Sequence, residues 1–151
     1  MDEISHNIKM AFIGGSGLYA MEGMNEVEHI NIETPYGFPS DRITLGNIGG
    51  TSIAFLPRHG RGHKLLPSEV PYAANIYALK SLGINRLVSI SAVGSLKESM
   101  HPRHVVLPDQ LIDRTKRRVD TFFGDGIAAH VSLSDPYCEG LRNLVSNVCS
   151  D

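Results

Sequence analysis

Apolar runs that end abruptly in glycine or in charged residues predict the strands of this chain. Lys9 to Ile13 runs into Gly14-Gly15-Ser16-Gly17, which indicates a buried strand followed by a turn of bare backbone. Two further runs, Ile43 to Leu45 and Ser52 to Leu56, flank the segment from Gly46 to Gly50. This arrangement predicts a β-hairpin.

A helix and another strand are predicted after the hairpin. Pro67-Ser68-Glu69 is typical of a helix start, with Ser68 as the N-cap, and Gly83 is typical of a helix end. Between them, apolar residues recur near helical spacing: Val70, Ala73, Ala74, Tyr77 and Leu79. Leu87 to Ile90 then forms an apolar run. The strand–helix–strand order predicts a βαβ crossover with parallel strands, and therefore an α/β fold.

The remaining chain is less regular. His104 to Leu107 is predicted to be a short strand, and Asp113 to Gly126 a polar loop. Ser134-Asp135-Pro136 predicts the start of a last helix, because it combines a capping side chain with a proline in the first turn. The apolar residues of that helix fall on one face, which needs a partner: Tyr137, Leu141, Leu144, Val145 and Val148.

Composition favours one ordinary globular domain over residues 1–151, with a flexible N-terminus over residues 1–8. The chain is 42% hydrophobic and 20% charged, with a formal net charge of -2. It has no basic cluster of the kind that binds nucleic acid and no apolar run long enough to span a membrane. Its two cysteines, Cys138 and Cys149, match neither a disulfide framework nor a zinc pattern. We therefore expect a reduced cytoplasmic protein without a nucleic-acid or membrane partner.

Three loops that follow predicted strands carry the candidate chemistry: 14–17, 58–64 and 91–95. In an open parallel sheet, ligands bind outside the carboxyl ends of the strands. The first and third loops offer backbone N–H groups and hydroxyls, whereas the second, Arg58-His59-Gly60-Arg61-Gly62-His63-Lys64, offers guanidinium and imidazole. Together they predict an anion site with Arg58 as its charge. A tight glycine turn and a solvated basic loop remain open as simpler interpretations.

Other kinds of site fit these residues poorly. Gly15-x-Gly17-x-x-Ala20 satisfies the loose dinucleotide fingerprint, but no helix pattern follows it, as that fold requires. His59 and His63 have the spacing of a metal pair on a helix, yet Gly60 and Gly62 disfavour a helix there. Residues 91–95 lack the glycine that precedes the serine nucleophile of a hydrolase elbow. We expect neither a metal nor a cofactor.

The ordered set of motifs resembles the methylthioadenosine phosphorylases, in the trimeric class of the purine-nucleoside phosphorylase family. The motifs occur over about residues 9–148, and the resemblance depends on the whole set: Ile13-Gly14-Gly15-Ser16-Gly17-Leu18, Thr34-Pro35-Tyr36-Gly37-Phe38-Pro39-Ser40-Asp41, Arg58-His59-Gly60-Arg61-Gly62-His63, Ser91-Ala92-Val93-Gly94-Ser95-Leu96, Pro108-Asp109-Gln110, Asp113-Arg114-Thr115, Phe122-Phe123-Gly124-Asp125-Gly126 and His130.

This resemblance implies a mixed sheet with flanking helices and a pentosyltransferase reaction. Inorganic phosphate, the co-substrate, attacks C1' of methylthioadenosine and releases adenine and 5-methylthioribose 1-phosphate. By position, the family's phosphate-contacting residues fall on Ser16, Arg58, His59, Ser91 and Ala92. His130 matches a histidine near the 5'-methylthio pocket. A homotrimer in purine and methionine salvage is the implied assembly and role.

The family's chains are roughly twice as long, so we expect this sequence to be the N-terminal half. The residues that bind the purine and protonate it would lie in the other half, and the catalytic residues of this chain are therefore unknown. We expect little turnover from the chain alone. Two alternatives stay open: a phosphorylase for inosine, guanosine or methylthioinosine, and a non-catalytic oligomerisation or regulatory subunit.

Overall fold

The computed structural model describes residues 8–15 and 23–149 and contains five strands and two helices in those ranges. In chain order these are β1 Met10–Gly14, β2 Asn25–Ile30, β3 Ile43–Ile48, β4 Thr51–Pro57, α1 Tyr72–Ser81, β5 Arg86–Ile90 and α2 Glu139–Cys149. No helix in the described part of the chain is long and apolar enough to cross a membrane.

The chain forms two compact units. The first unit extends to Ala92 and includes residues 117–122, and the second contains residues 93–116 and everything from 123 onward. All five strands and α1 belong to the first unit, whereas α2 belongs to the second. Every described residue that is buried lies in the first unit, so that unit holds the hydrophobic core.

The sheet is mixed, with the strand order β2-β3-β4-β1-β5. β1 is parallel to both of its neighbours, β4 and β5, whereas β2, β3 and β4 pair antiparallel. The predicted hairpin is confirmed, since β3 and β4 turn at Gly49 and Gly50, where φ is +57° and +82°. The β4–α1–β5 crossover joins parallel strands across β1. The α/β class predicted from the sequence is therefore correct.

One face of the sheet packs against α1. Because neighbouring residues of a strand point to opposite faces, the pairing places Ala11 and Ile13 of β1 on the same face as Ala54 and Leu56 of β4. These side chains form a buried cluster with Ala78, Leu79 and further apolar residues: Ile8, Ile43, Leu45 and Ile84. The helix is held by this apolar contact, which leaves its first turn beside the carboxyl ends of the strands.

Strand β2 was not predicted. Its sequence is Asn-Glu-Val-Glu-His-Ile, and Val27 is half exposed. Among the described strands it lies at the edge of the sheet and pairs with β3 alone, where His29 Nδ1 lies 3.1 Å from Thr44 Oγ1. An edge strand of this kind needs few apolar residues, so its sequence gives almost no strand signal.

The predicted start of α1 was wrong. The helix begins at Tyr72, after Pro71, and no side chain caps it. Leu66 to Val70 instead forms a separate turn, in which Glu69 Oε2 accepts the N–H of Leu66 at 2.8 Å. Proline lacks an N–H and disfavours a helical residue before it, so Pro71 separates this turn from the helix. The helix end is as predicted, with Gly83 at φ +79°.

The second unit differs from the sequence prediction in two places. The last helix begins at Glu139 and not at the predicted Ser134, whose hydroxyl donates to Asp135 Oδ2 at 2.9 Å. His104 to Leu107 forms no strand, since no neighbouring strand in the described ranges pairs with it. The region from 113 to 126, of which residues 117–122 belong to the first unit, is a loop, as predicted.

The segment predicted to be flexible, residues 1–8, lies outside the described residues except for its last member. Ile8 is 1% exposed and belongs to the core cluster.

Candidate anion-binding site

The carboxyl ends of three parallel strands lie at one level of the sheet. Gly14, the last residue of β1, pairs with Pro57 of β4 on one side and with Ile90 of β5 on the other. Each of these residues ends its strand, so Arg58 and Ser91 begin their loops at the same level, on either side of the end of β1. The predicted meeting of these loops is therefore observed for the second and third loops. Of the first loop, Gly15 is described, and Ser16 lies outside the described residues.

Arg58 connects the two described loops. Its Nη1 donates to Ser91 Oγ, and its Nε donates to His59 Nε2 at 3.2 Å. Its backbone N–H donates to the carbonyl of Gly14 at 2.9 Å, which fixes the start of the loop to β1. Within the described ranges, Arg58 forms no ion pair with a carboxylate. The guanidinium therefore remains an uncompensated positive charge at the strand ends, where it can bind an anion.

His59 is buried, with 6% of its surface exposed, and both of its ring nitrogens are engaged. Since Arg58 Nε is always a donor, His59 Nε2 must accept. The ring proton then lies on Nδ1, which is 2.9 Å from the carbonyl oxygen of Leu65. These two contacts define a neutral imidazole in the Nδ1–H form. In this form His59 orients the guanidinium instead of repelling it.

The basic loop turns back on itself through residues with positive φ. Gly60, Gly62 and His63 have φ values of +71°, +83° and +55°. His63 stacks on His59, with ring centroids 4.5 Å apart and planes inclined by 20°. A positive φ is uncommon for residues other than glycine, although histidine adopts it more readily than most. Such conformations are often found at functional sites. The stack covers one face of the buried imidazole.

A cavity of about 300 Å³ lies next to Arg58 and His59 in the first unit. Its remaining lining comes from β1, β5, α1 and the turn before α1: Ile13, Leu87, Ser89, Pro67, Tyr72, Asn75 and Ile76. Sequence reasoning did not select Tyr72 or Asn75. In the sequence, Asn75 could have been noticed as a polar residue near the apolar helix positions Ala74 and Ala78. The structure shows that it is only 2% exposed.

The other predicted site residues are placed as follows. Ala92 follows Ser91 and is exposed, as Ser91 is. His130 is exposed and belongs to the second unit, so its predicted substrate contact stays a prediction. In the described part of the chain, no group of three or more His, Cys, Asp or Glu side chains could hold a metal ion.

Comparison with known proteins places this arrangement in a family. Residues 9–151 match the phosphorylase superfamily. S-methyl-5'-thioadenosine phosphorylase of Thermosynechococcus vestitus is 52% identical over 143 residues, which cover 95% of this chain and 50% of that protein. The corresponding protein of Geobacter sulfurreducens is 56% identical, covering 85% of this chain and 46% of its own length.

Solved structures agree. A crystal structure of methylthioadenosine phosphorylase from an antarctic soil metagenomic library has a TM-score of 0.89 at 56% identity, covering 93% of this chain and 49% of that one. The Schistosoma mansoni enzyme in complex with adenine has a TM-score of 0.88 at 36% identity, covering 95% of this chain and 54% of that one. The chain thus spans about half the length of the relatives it matches, and its sheet is of the nucleoside phosphorylase type. This protein belongs to the phosphorylase superfamily, and over about half of their length it is similar to methylthioadenosine phosphorylases.

Proposed function

We propose that the chain supplies the phosphate-binding part of a methylthioadenosine phosphorylase. The observation that carries this proposal is the Arg58 guanidinium, held between Ser91 and His59 at the carboxyl ends of parallel strands without a carboxylate partner among the described residues. The bound anion would be inorganic phosphate, with Ser16 and the backbone at Ala92 as further contacts. No cofactor is required, and residues 1–151 would be part of a single cytoplasmic phosphorylase domain.

The reaction explains why an anion site of this kind is useful. Phosphorolysis of an N-glycosidic bond places positive charge on the ribose and negative charge on the departing purine. A phosphate held in place stabilises the ribose cation and attacks C1' without first having to be captured from solution. Arg58 and the Ser91 hydroxyl would hold the phosphate oxygens. His59 would keep the guanidinium in the correct plane, and His130 would contact the 5'-methylthio group, in a homotrimer with small-molecule substrates only.

The anion site can be tested by a phosphate titration of the ¹⁵N-labelled chain followed by NMR. The resonances of Arg58 Nε–H and of the Ser91 and Ala92 amides should shift together and saturate with one dissociation constant. Equal ionic strength from sodium chloride should not reproduce the shift. An Arg58→Gln variant should bind phosphate about tenfold to a hundredfold more weakly, the range expected for a lost charge-assisted interaction. Arg61→Gln is the matched control, because Arg61 lies in the same loop and is exposed.

The wider activity needs a separate experiment. Methylthioadenosine and phosphate are mixed with the chain, and adenine release is followed; inosine and guanosine are run in parallel. Adenine release that depends on phosphate and is lost in Arg58→Gln supports the proposed reaction. Release that is insensitive to this substitution would contradict it. Saturable phosphate binding without turnover would assign phosphate binding to this chain and the chemistry to the remainder of a longer protein.

A further inference from the structure

Two side chains outside the strand ends hold the peptide that carries Arg58. Asn75 lies on α1 and is almost fully buried, and its Oδ1 accepts the backbone N–H of Ser40 at 2.8 Å. The Ser40 hydroxyl in turn donates to the carbonyl oxygen of Pro57 at 2.7 Å. Pro57 is the last residue of β4 and directly precedes Arg58. Helix α1 is thereby connected through Ser40 to the start of the basic loop.

The peptide between Pro57 and Arg58 is fixed on both sides. Its carbonyl accepts the Ser40 hydroxyl at 2.7 Å and the Gly60 N–H at 3.2 Å, and its own N–H donates to the carbonyl of Gly14 in β1 at 2.9 Å. With both polar groups engaged in opposite directions, rotation of the peptide plane would break at least one hydrogen bond. The direction in which the Arg58 side chain leaves the backbone is therefore determined by Ser40 as well as by the sheet.

The same segment also contacts the other end of the turn. The Asp41 carboxylate accepts the backbone N–H of Arg61. A side-chain carbon at Gly60 would lie 3.0 Å from the Ser40 carbonyl oxygen, so the two backbones are in close contact. Residues 40–41 thus lie alongside the backbone of residues 57–61 and contact it at both ends. This contact leaves the loop with little freedom to change shape.

We propose that Ser40 and Asn75 are positioning residues for the anion site, acting through the Pro57–Arg58 peptide. This inference depends on the proposed phosphate-binding function. The guanidinium is at the end of a long side chain, so a small rotation of the peptide displaces it much further than the peptide itself. Sites of this kind require placement to within about 0.5 Å. Loss of the Ser40 hydroxyl would leave Arg58 charged and partly exposed as before, but less often directed at Ser91.

The test compares Ser40→Ala with Ser40→Thr and with Ser81→Ala. Ser40→Thr keeps the hydroxyl. Ser81→Ala removes a hydroxyl that donates to a backbone carbonyl of α1, Ala78, at 2.8 Å, without contacting the basic loop. Phosphate affinity and the anion-free Arg58 Nε–H resonance are measured by NMR for each folded variant. We expect Ser40→Ala to weaken phosphate binding about threefold to tenfold, in line with one lost hydrogen bond, and to shift the Arg58 resonance. Ser40→Thr and Ser81→Ala should match the wild type in both readouts.

Different outcomes separate this inference from the proposed function. If Ser40→Ala binds phosphate like the wild type and leaves the Arg58 resonance in place, Ser40 serves only stability and the inference is wrong. If the wild-type chain itself does not bind phosphate, the proposed function fails, and the anion-free Arg58 resonance still decides whether Ser40 orients this side chain. Asp41→Ala, which removes the carboxylate that accepts the Arg61 N–H, provides a second variant in this segment. It should shift the Arg58 resonance in the same direction, and an unchanged resonance would count against the inference.

Discussion

The hydrogen bond from Arg58 to His59 determines which ring nitrogen of His59 carries the proton, and this can be measured by NMR. Since His59 Nε2 accepts from Arg58, the ring proton must be on Nδ1, where it bonds to the Leu65 carbonyl. Long-range ¹H–¹⁵N spectra of the imidazole should therefore show a protonated Nδ1 and an unprotonated Nε2. The exposed ring of His130 is a useful reference, because it has no such pair of partners in the structure. A proton on His59 Nε2 would show that Arg58 is not oriented in this way.

A second residue-scale prediction concerns the close contact at Gly60. Alanine there would meet both a left-handed backbone, at φ +71°, and the Ser40 carbonyl oxygen at 3.0 Å. Gly62 has a similar φ of +83°, but its nearest neighbour is the flexible Lys64 side chain at 3.6 Å. We expect Gly62→Ala to lower the free energy of unfolding by about 1 kcal/mol and Gly60→Ala by about 2 to 4 kcal/mol, as measured in urea. Equal losses would show that Ser40 is not in close contact with this turn.

Residue types pointed to the loops that contain Arg58, His59 and Ser91, because each loop begins directly after a strand; the family resemblance then assigned these three residues to the phosphate site. The connection through Ser40 and Asn75 could not be selected in this way. Ser40 is 17 positions from Pro57 and 35 from Asn75, and only the folded chain brings them together. Hydrogen bonds over such separations have no local pattern. Stacking of His63 on His59 was also missed, because the spacing of the two residues does not reveal the left-handed backbone at His63.

At the scale of elements, the start of α1 can be tested by comparing the predicted cap, Ser68, with the observed start at Tyr72. If Ser68 capped the helix, its replacement by alanine would cost about 1 kcal/mol. In the structure the helix begins after Pro71 without a side-chain cap. Ser68→Ala should therefore change the free energy of unfolding by less than about 0.5 kcal/mol, the usual range for an exposed site. Thermal or urea unfolding measures this difference, and a loss of 1 kcal/mol or more would restore Ser68 as the cap.

The packing of α1 on the sheet can be tested at Leu79. This side chain is 2% exposed and belongs to the core cluster, whereas Leu66, in the turn before the helix, is 62% exposed. Leu79→Ala should lower the free energy of unfolding by about 2 to 5 kcal/mol, through lost burial and the cavity that remains. Leu66→Ala, which removes the same atoms, should cost less than about 1 kcal/mol. Similar losses from both variants would contradict the position of α1.

The strands that sequence patterns identified correctly are those with apolar runs. The runs of β1, β3 and β4 contain buried residues, and glycine or a charged residue marks where each of these strands ends. The run of β5 is largely exposed. Patterns failed where polar residues decide the outcome. β2 is an edge strand with few apolar residues, and Ser134 bonds to its neighbours instead of capping a helix. His104 to Leu107 has the composition of a strand, but a strand also needs a pairing partner.

For the whole molecule, the distribution of burial predicts two levels of protection. Described residues that are buried lie only in the first unit, and α2 in the second has none. Backbone amides resist hydrogen exchange where opening requires apolar contacts to break. We expect amides of β1, β3, β4 and α1 to exchange at least about a hundredfold more slowly than those of α2, measured by mass spectrometry of peptides. Comparable protection of α2 would show that its apolar face is covered.

The confinement of the core to the first unit also affects the heat-capacity change of unfolding. The heat capacity of unfolding arises mainly from apolar surface that becomes exposed to water, at about 12 to 15 cal/mol/K per residue of an ordinary domain. A chain of 151 residues would then give about 1.8 to 2.3 kcal/mol/K. Because the second unit has little buried surface to release, calorimetry should give a smaller value and a broader transition. The stability of this chain should accordingly vary less with temperature than its length suggests.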